Sequence, residues 1–166
     1  MRGARTWFVR LLVILVATSL GLACPRRAPP AVVGTWALVS ATNDKGGQRS
    51  DVFGVEPKGL YVFTEDGRFS IINMRKDLPR FASGNRMTGT PEENQAIVKG
   101  SIALFGRYRV EGSSLVLAVE GSTWPVWTGT EQPRAFTMSG NEMRWHLASS
   151  LGGTTEIVLR RQTTSN

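Results

Sequence analysis

The sequence predicts an all-β protein: a closed or nearly closed antiparallel up-and-down β-barrel of about eight strands, with one short helix. Three observations point there. Short apolar runs recur, separated by glycine-containing turns. Several of these runs are apolar on both faces, as in Leu115-Val116-Leu117-Ala118-Val119. Only one segment carries the chemistry of a helix start. A flat sheet would leave one apolar face of such strands in water, and closing the sheet also removes its edges. A two-sheet sandwich is the structural alternative.

The elements follow in order. Thr35 to Thr42 alternates loosely and reads as a first strand. Leu60 to Thr64 and Arg68 to Met74 flank Glu65-Asp66-Gly67, a hairpin signal because glycine takes the positive φ of a tight turn. Leu104 to Val110 and Leu115 to Glu120 flank Glu111-Gly112-Ser113-Ser114. Ala135 to Met138 and Met143 to Ala148 flank Ser139-Gly140-Asn141-Glu142, and Thr155 to Arg161 is the last strand. Arg75 to Gly89, rich in Arg, Pro, Ser, Asn and Gly, reads as a loop with a basic character that would suit a lid. Thr90-Pro91-Glu92-Glu93 then supplies a cap, a first-turn proline and first-turn acids, so a helix is expected to about Lys99.

The first residues read as an export signal, expected over 1–23. Arg2, Arg5 and Arg10 form a basic start, and an apolar run ends in Gly21-Leu22-Ala23. From Leu11 to Ala23 is 13 residues, whereas spanning a bilayer needs roughly 18 or more; an uncleaved anchor is the alternative. Cys24, the single cysteine, would be the first residue after the cut. Its placement resembles a bacterial lipoprotein signal, in which that cysteine is lipidated, although Gly21 stands where such signals usually carry leucine. Ordinary cleavage would also leave Cys24 at the new end. Residues 24–33 form a Pro/Arg-rich tether, and 34–163 the barrel domain. With one cysteine there is no internal disulfide, so the fold rests on its core.

Charge excludes one class of partner. The formal net charge is +7, from 20 basic and 13 acidic residues. Three arginines leave with the signal, so 17 basic residues face 13 acidic ones, or +4. Arg26 and Arg27 lie in the tether, which leaves about +2 on the domain, no footprint for nucleic acid.

Between Val33 and Gln162 the chain resembles the bacterial and fungal lipocalin-like domain family. The likeness is carried by Gly34-Thr35-Trp36-Ala37-Leu38-Val39-Ser40, Pro57-Lys58-Gly59-Leu60-Tyr61 and Thr64-Glu65-Asp66-Gly67-Arg68-Phe69-Ser70. It continues through Ala82-Ser83-Gly84, Gly89-Thr90-Pro91-Glu92-Glu93, Phe105-Gly106-Arg107-Tyr108-Arg109-Val110, the whole of 119–134 and Gly140-Asn141-Glu142. The resemblance implies that Trp36 closes the barrel base under a late arginine, Arg160 or Arg161. It also implies a small hydrophobic or amphipathic ligand. Two departures remove polar groups: Leu117 and Ala118 stand where members often carry histidine, and Val126 where they often carry asparagine.

The candidate chemistry is narrow. His146 is the sole histidine and reads as an ordinary strand residue, so no metal site and no cofactor are expected. Glu120 shares a strand face with Val116, Ala118 and Ser122. If that face is inward, the carboxylate must pair, with Arg107, Arg109 or Arg134 in reach, or be protonated. If not, it is a surface ion pair. Trp124, Trp127, Tyr108, Tyr61 and Trp145 offer aromatic wall for a mostly apolar pocket of a few hundred cubic ångströms. The expectation is an exported protein that binds a small apolar or amphipathic molecule inside the barrel. Glu120, Trp127, Tyr108 and Arg134 would line or gate the pocket, joined by Trp124 and Tyr61, and Cys24 would supply membrane attachment. The alternatives are an isomerase- or cyclase-type enzyme, and a non-catalytic structural or interaction module of the cell envelope.

Overall fold

The computed structural model describes residues 31–163; the expected export signal, Cys24 and the first part of the expected tether lie outside them. The strands are β1 (Gly34–Lys45), β2 (Gln48–Asp51), β3 (Lys58–Phe63), β4 (Arg68–Met74), β5 (Ser101–Glu111), β6 (Ser114–Ser122), β7 (Glu131–Ser139), β8 (Glu142–Ala148) and β9 (Thr154–Arg161). One helix, α1 (Pro91–Gly100), joins β4 to β5, and a single 3₁₀ turn, Pro125–Trp127, joins β6 to β7. Neighbours pair antiparallel in chain order from β3 onward, and β1 pairs with both β3 and β9. That last ladder closes an eight-stranded ring, with β2 outside it as a hairpin on the far half of β1. The expected barrel is therefore the observed one.

Two strands extend beyond the sequence reading. β2 is exposed at all four residues, so no apolar period marks it. β7 begins at Glu131, four residues before the expected start, and runs through Pro133. Proline is tolerated there because residues 131–134 pair with β6 alone; pairing with β8 begins at Ala135.

Turn chemistry acts as read. Gly67 has φ +79°, which seats the β3–β4 turn. α1 has a full capping box: Thr90 Oγ1 accepts from the Glu93 amide (3.2 Å) and Glu93 Oε2 from the Thr90 amide (2.8 Å). Glu93 Oε1 also accepts from the Ala82 amide (2.8 Å), which ties the preceding loop to the helix start. These two backbone donors, Ala82 first, hold the Glu93 carboxyl below its usual range.

Two bulges set which residues face inward. In β1 an extra residue, Val39, shifts the inward set from Trp36 and Leu38 to Ala41 and Asn43. The β5–β6 ladder shifts between Phe105 and Gly106. A Cβ at Gly106 would stand 2.1 Å from the Ala118 carbonyl oxygen, so only glycine allows this approach. The core gathers one face of the strands of the ring: Trp36, Tyr61, Phe63, Ile71, Tyr108, Leu115, Leu117, Val119, Met143, Trp145 and Leu159, with Phe136 and Met138 of β7 packed against it, among others.

Candidate ligand site

The ring has two unlike ends. At the base lie the start of β1, the turns β3–β4, β5–β6 and β7–β8, and the end of β9. At the mouth lie the β1–β2 hairpin, the segment carrying α1, the 3₁₀ turn and the β8–β9 turn.

The base is filled and satisfied. Trp36 is fully buried, and its Nε1 donates to the Val32 carbonyl at 3.0 Å. The Arg161 guanidinium stands 4.1 Å from the indole centroid, a contact of roughly 0.5–2 kcal/mol. Arg161 also donates to the carbonyls of Val33 (2.7 Å) and Ala31. Of the two candidate arginines, Arg161 covers the tryptophan; Arg160 points out and is exposed. Above them Phe63 meets Tyr108 edge-on at 5.1 Å, and Trp145 meets Tyr61 at 5.3 Å and Phe63 at 6.2 Å. Trp145 Nε1 donates to Met143 Sδ at 3.2 Å. Tyr108 Oη donates to the Thr64 carbonyl at 2.8 Å, and burial, with the Asp66 charge second, pushes its pKa up to about 12. Tyr108 is thus a base residue tied to a turn, and its place among the pocket residues is corrected: the phenol hydroxyl is consumed by backbone.

Toward the mouth the interior becomes polar. Asn43, Asn73 and Thr155 are buried within two residues of the mouth ends of β1, β4 and β9. Asn43 accepts from Thr155 Oγ1 (3.1 Å) and donates to the Gly152 carbonyl (3.1 Å), so that pair is complete. Tyr61 and Asn73 are not. The Asn73 amide stands against the phenol and favours its ionised form, a smaller effect than the burial that pushes the Tyr61 pKa up. Yet neither Tyr61 Oη nor Asn73 Oδ1 completes a hydrogen bond of ordinary geometry.

From the opposite wall, β7 sends Arg134 inward at 7 % exposure. Nη1 donates to the Pro133 carbonyl at 3.0 Å and Nη2 to Gln132 Oε1 at 3.2 Å. The Trp127 ring covers the guanidinium at 5.8 Å, and Gln132 is itself held by Thr130. Burial lowers the Arg134 pKa, partly offset by Tyr61. The guanidinium nonetheless stays charged, because arginine does not deprotonate in proteins. Arg134, Trp127 and Tyr61, three of the expected pocket residues, are brought together here.

Three expected residues are not: Tyr108, already placed at the base, Glu120 and Trp124. Glu120 lies on the outside of the barrel, 3.3 Å from Arg68 Nη1 and 3.5 Å from Arg107 Nε, with its side chain 42 % exposed. Its reading as a pocket carboxylate is corrected. The inward face of β6 is Leu115, Leu117 and Val119, which forces the neighbouring positions out. Trp124 is half exposed, in the link between β6 and β7. His146 is also outside, with Nε2 3.9 Å from Glu156 Oε2. Asn73 escaped the sequence reading, although Phe69-x-Ile71-x-Asn73 placed it on the inward face by simple alternation.

Two concavities stand out, and both are outside the barrel. One of about 290 Å³ lies on the β4–β5–β6 surface between Ile72, Phe105 and Thr123. The other, of about 530 Å³, runs between α1 and the loop before it, lined by Phe81, Arg86, Met87, Asn94, Ile97 and Val98. Neither lies along the axis, where six buried aromatic side chains, Trp36, Tyr61, Phe63, Phe69, Tyr108 and Trp145, join the core. Among the described residues no cluster of three or more His, Cys, Asp or Glu is placed to hold a metal ion.

A family model described as a lipocalin-like domain matches residues 33–160. The chain belongs to the lipocalin-like domain family. The match takes in the barrel strands, α1 and Trp36, and ends one residue before Arg161. Among solved structures the chain is similar to a redesigned β-barrel, at 17% identity and a TM-score of 0.44, over 82% of this chain and 96% of that one. It is also similar to an uncharacterized protein from Bacteroides eggerthii, at 17% identity and a TM-score of 0.41, over 78% and 98%. No curated protein matches.

Proposed function

We propose that this lipocalin-like domain is an exported binding protein that takes a small apolar or amphipathic molecule into the mouth half of its barrel, with Cys24 as its membrane attachment. One observation carries the reading. A buried cation and two unpartnered polar atoms, Tyr61 Oη and Asn73 Oδ1, stand in an interior that is otherwise paired. Each unsatisfied buried group costs about 1–3 kcal/mol, so packing alone gives no reason to keep them. The half-buried Trp127 over Arg134 supplies an apolar cover. Native mass spectrometry of protein purified without denaturant should show a retained small molecule. A uniformly bare protein whose melting temperature ignores a panel of small amphiphiles would overturn the reading. For the attachment, Cys24→Ser should move the protein from the membrane to the soluble fraction; unchanged partitioning would remove it.

A second reading has its own support. Leu60 and Ile72 are direct outward partners, Phe105 lies beside them, and all three are well exposed. Such a stripe favours an interaction module. Leu60→Glu with Phe105→Glu should then abolish an association visible by sedimentation. The enzyme alternative gains nothing from Glu120, whose carboxylate is on the outside.

A further inference from the structure

We infer that the molecule taken up carries a carboxylate, and that Arg134 is the side chain that binds it. This names the ligand class for the site proposed above and rests on that proposal.

The inference starts from charge. The carboxylates near Arg134 are spent on the outside: Glu131 on Arg109, Glu120 on Arg68 and Arg107, Glu142 and Glu156 on Arg144. Each of those arginines is at least two-fifths exposed and would keep its charge in water without a partner. Arg134 has left water and, among the described residues, has no carboxylate. Both of its hydrogen bonds go to neutral acceptors on its own strand. A buried ion without a counter-ion costs several kcal/mol, so the missing group is an anion.

Geometry narrows the anion. A guanidinium offers five N–H donors in a planar fork that matches a carboxylate. Two hydrogen bonds occupy it here, which leaves donors free. Trp127 is seated by cation–π attraction and takes none of them. Tyr61, kept protonated by burial, holds a second unused donor. Asn73 adds an amide beside it. A single positive charge suits a monoanion; Arg134 is the only charged side chain among the buried residues, so a phosphate dianion would lack its second cation. The filled base limits the body of the ligand to something compact, such as a short chain or one ring.

The test uses matched pairs on the purified protein: butyrate against butanol, octanoate against octanol, phenylacetate against 2-phenylethanol. Calorimetric titration should show at least one acid bound ten times or more tighter than its alcohol. Arg134→Met should abolish that preference, weakening the acid by tenfold or more and the alcohol far less. Tyr61→Phe should reduce it less. Binding should also shift tryptophan emission, and Trp127→Phe should remove most of the shift, a readout that does not depend on stability. If acid and alcohol bind alike, or Arg134→Met keeps the preference, the carboxylate inference falls and the binding proposal stands. If none of the acids binds but neutral amphiphiles do, the result is the same. If nothing binds and the native protein is bare, both fall.

Discussion

The base and the mouth of this barrel are built from the same eight strands under opposite rules. At the base each buried polar tip has a destination: Trp36 the Val32 carbonyl, Trp145 the Met143 sulfur, Tyr108 the Thr64 carbonyl. Toward the mouth, Tyr61 and Asn73 keep atoms without partners, and Arg134 keeps a charge without a counter-ion. Since burial is similar in both halves, desolvation alone does not separate them. What differs is whether local backbone or side chain repays it. The base is organised for stability; the mouth is stressed in a way that a bound molecule would relieve.

The largest way to break the comparison is Trp145→Ala, which removes the floor between the halves. It should destabilise the fold by about 3–5 kcal/mol in urea unfolding; a cost below about 1 kcal/mol would mean the floor is not packed as described. An alkaline titration comes next. Both buried phenols have raised pKa values, so their stabilising contribution is complete below about pH 10, the ordinary phenol value. It should fall as pH rises toward about 12, the value for Tyr108. The melting temperature should drop over that window, and Tyr108→Phe should blunt the drop. A smaller effect of opposite sign is expected at the mouth. Tyr61→Phe removes an unsatisfied hydroxyl and should stabilise the unliganded protein by about 1 kcal/mol; a loss instead would show that Oη has a partner. Smallest is Glu120→Gln, which weakens an exposed ion pair and should change stability by less than about 0.5 kcal/mol.

The fold was largely legible in the sequence because barrels are written in local signals. Gly67, Gly112 and Gly140 punctuate three hairpins, and Thr90-Pro91-Glu92-Glu93 starts the helix with the chemistry it shows. β2 was not legible, since exposed polar residues pair through backbone alone. The site was legible only in part. Arg134, Trp127 and Tyr61 were named as wall and gate, and they meet. For Glu120 the face stayed open, because Leu115 to Val119 is apolar on both faces and alternation could not say which was which. Val116, outside the core cluster yet buried, shows how that ambiguity arises. The stacking of six aromatic residues in the core had no signal either; the aromatic count fitted a lined cavity and a filled one equally well.

The grip of Arg161 has a consequence for orientation. One side chain on the last strand covers Trp36 and holds the Ala31 and Val33 carbonyls just before the first. Both ends of the domain therefore leave from the same pole, and that pole is the closed one. A domain suspended by its N-terminal tether would hang with its base toward the supporting surface and its mouth facing away. A tag or fusion at either end would likewise lie at the opposite pole from Trp127, and leave the approach to Arg134 unobstructed.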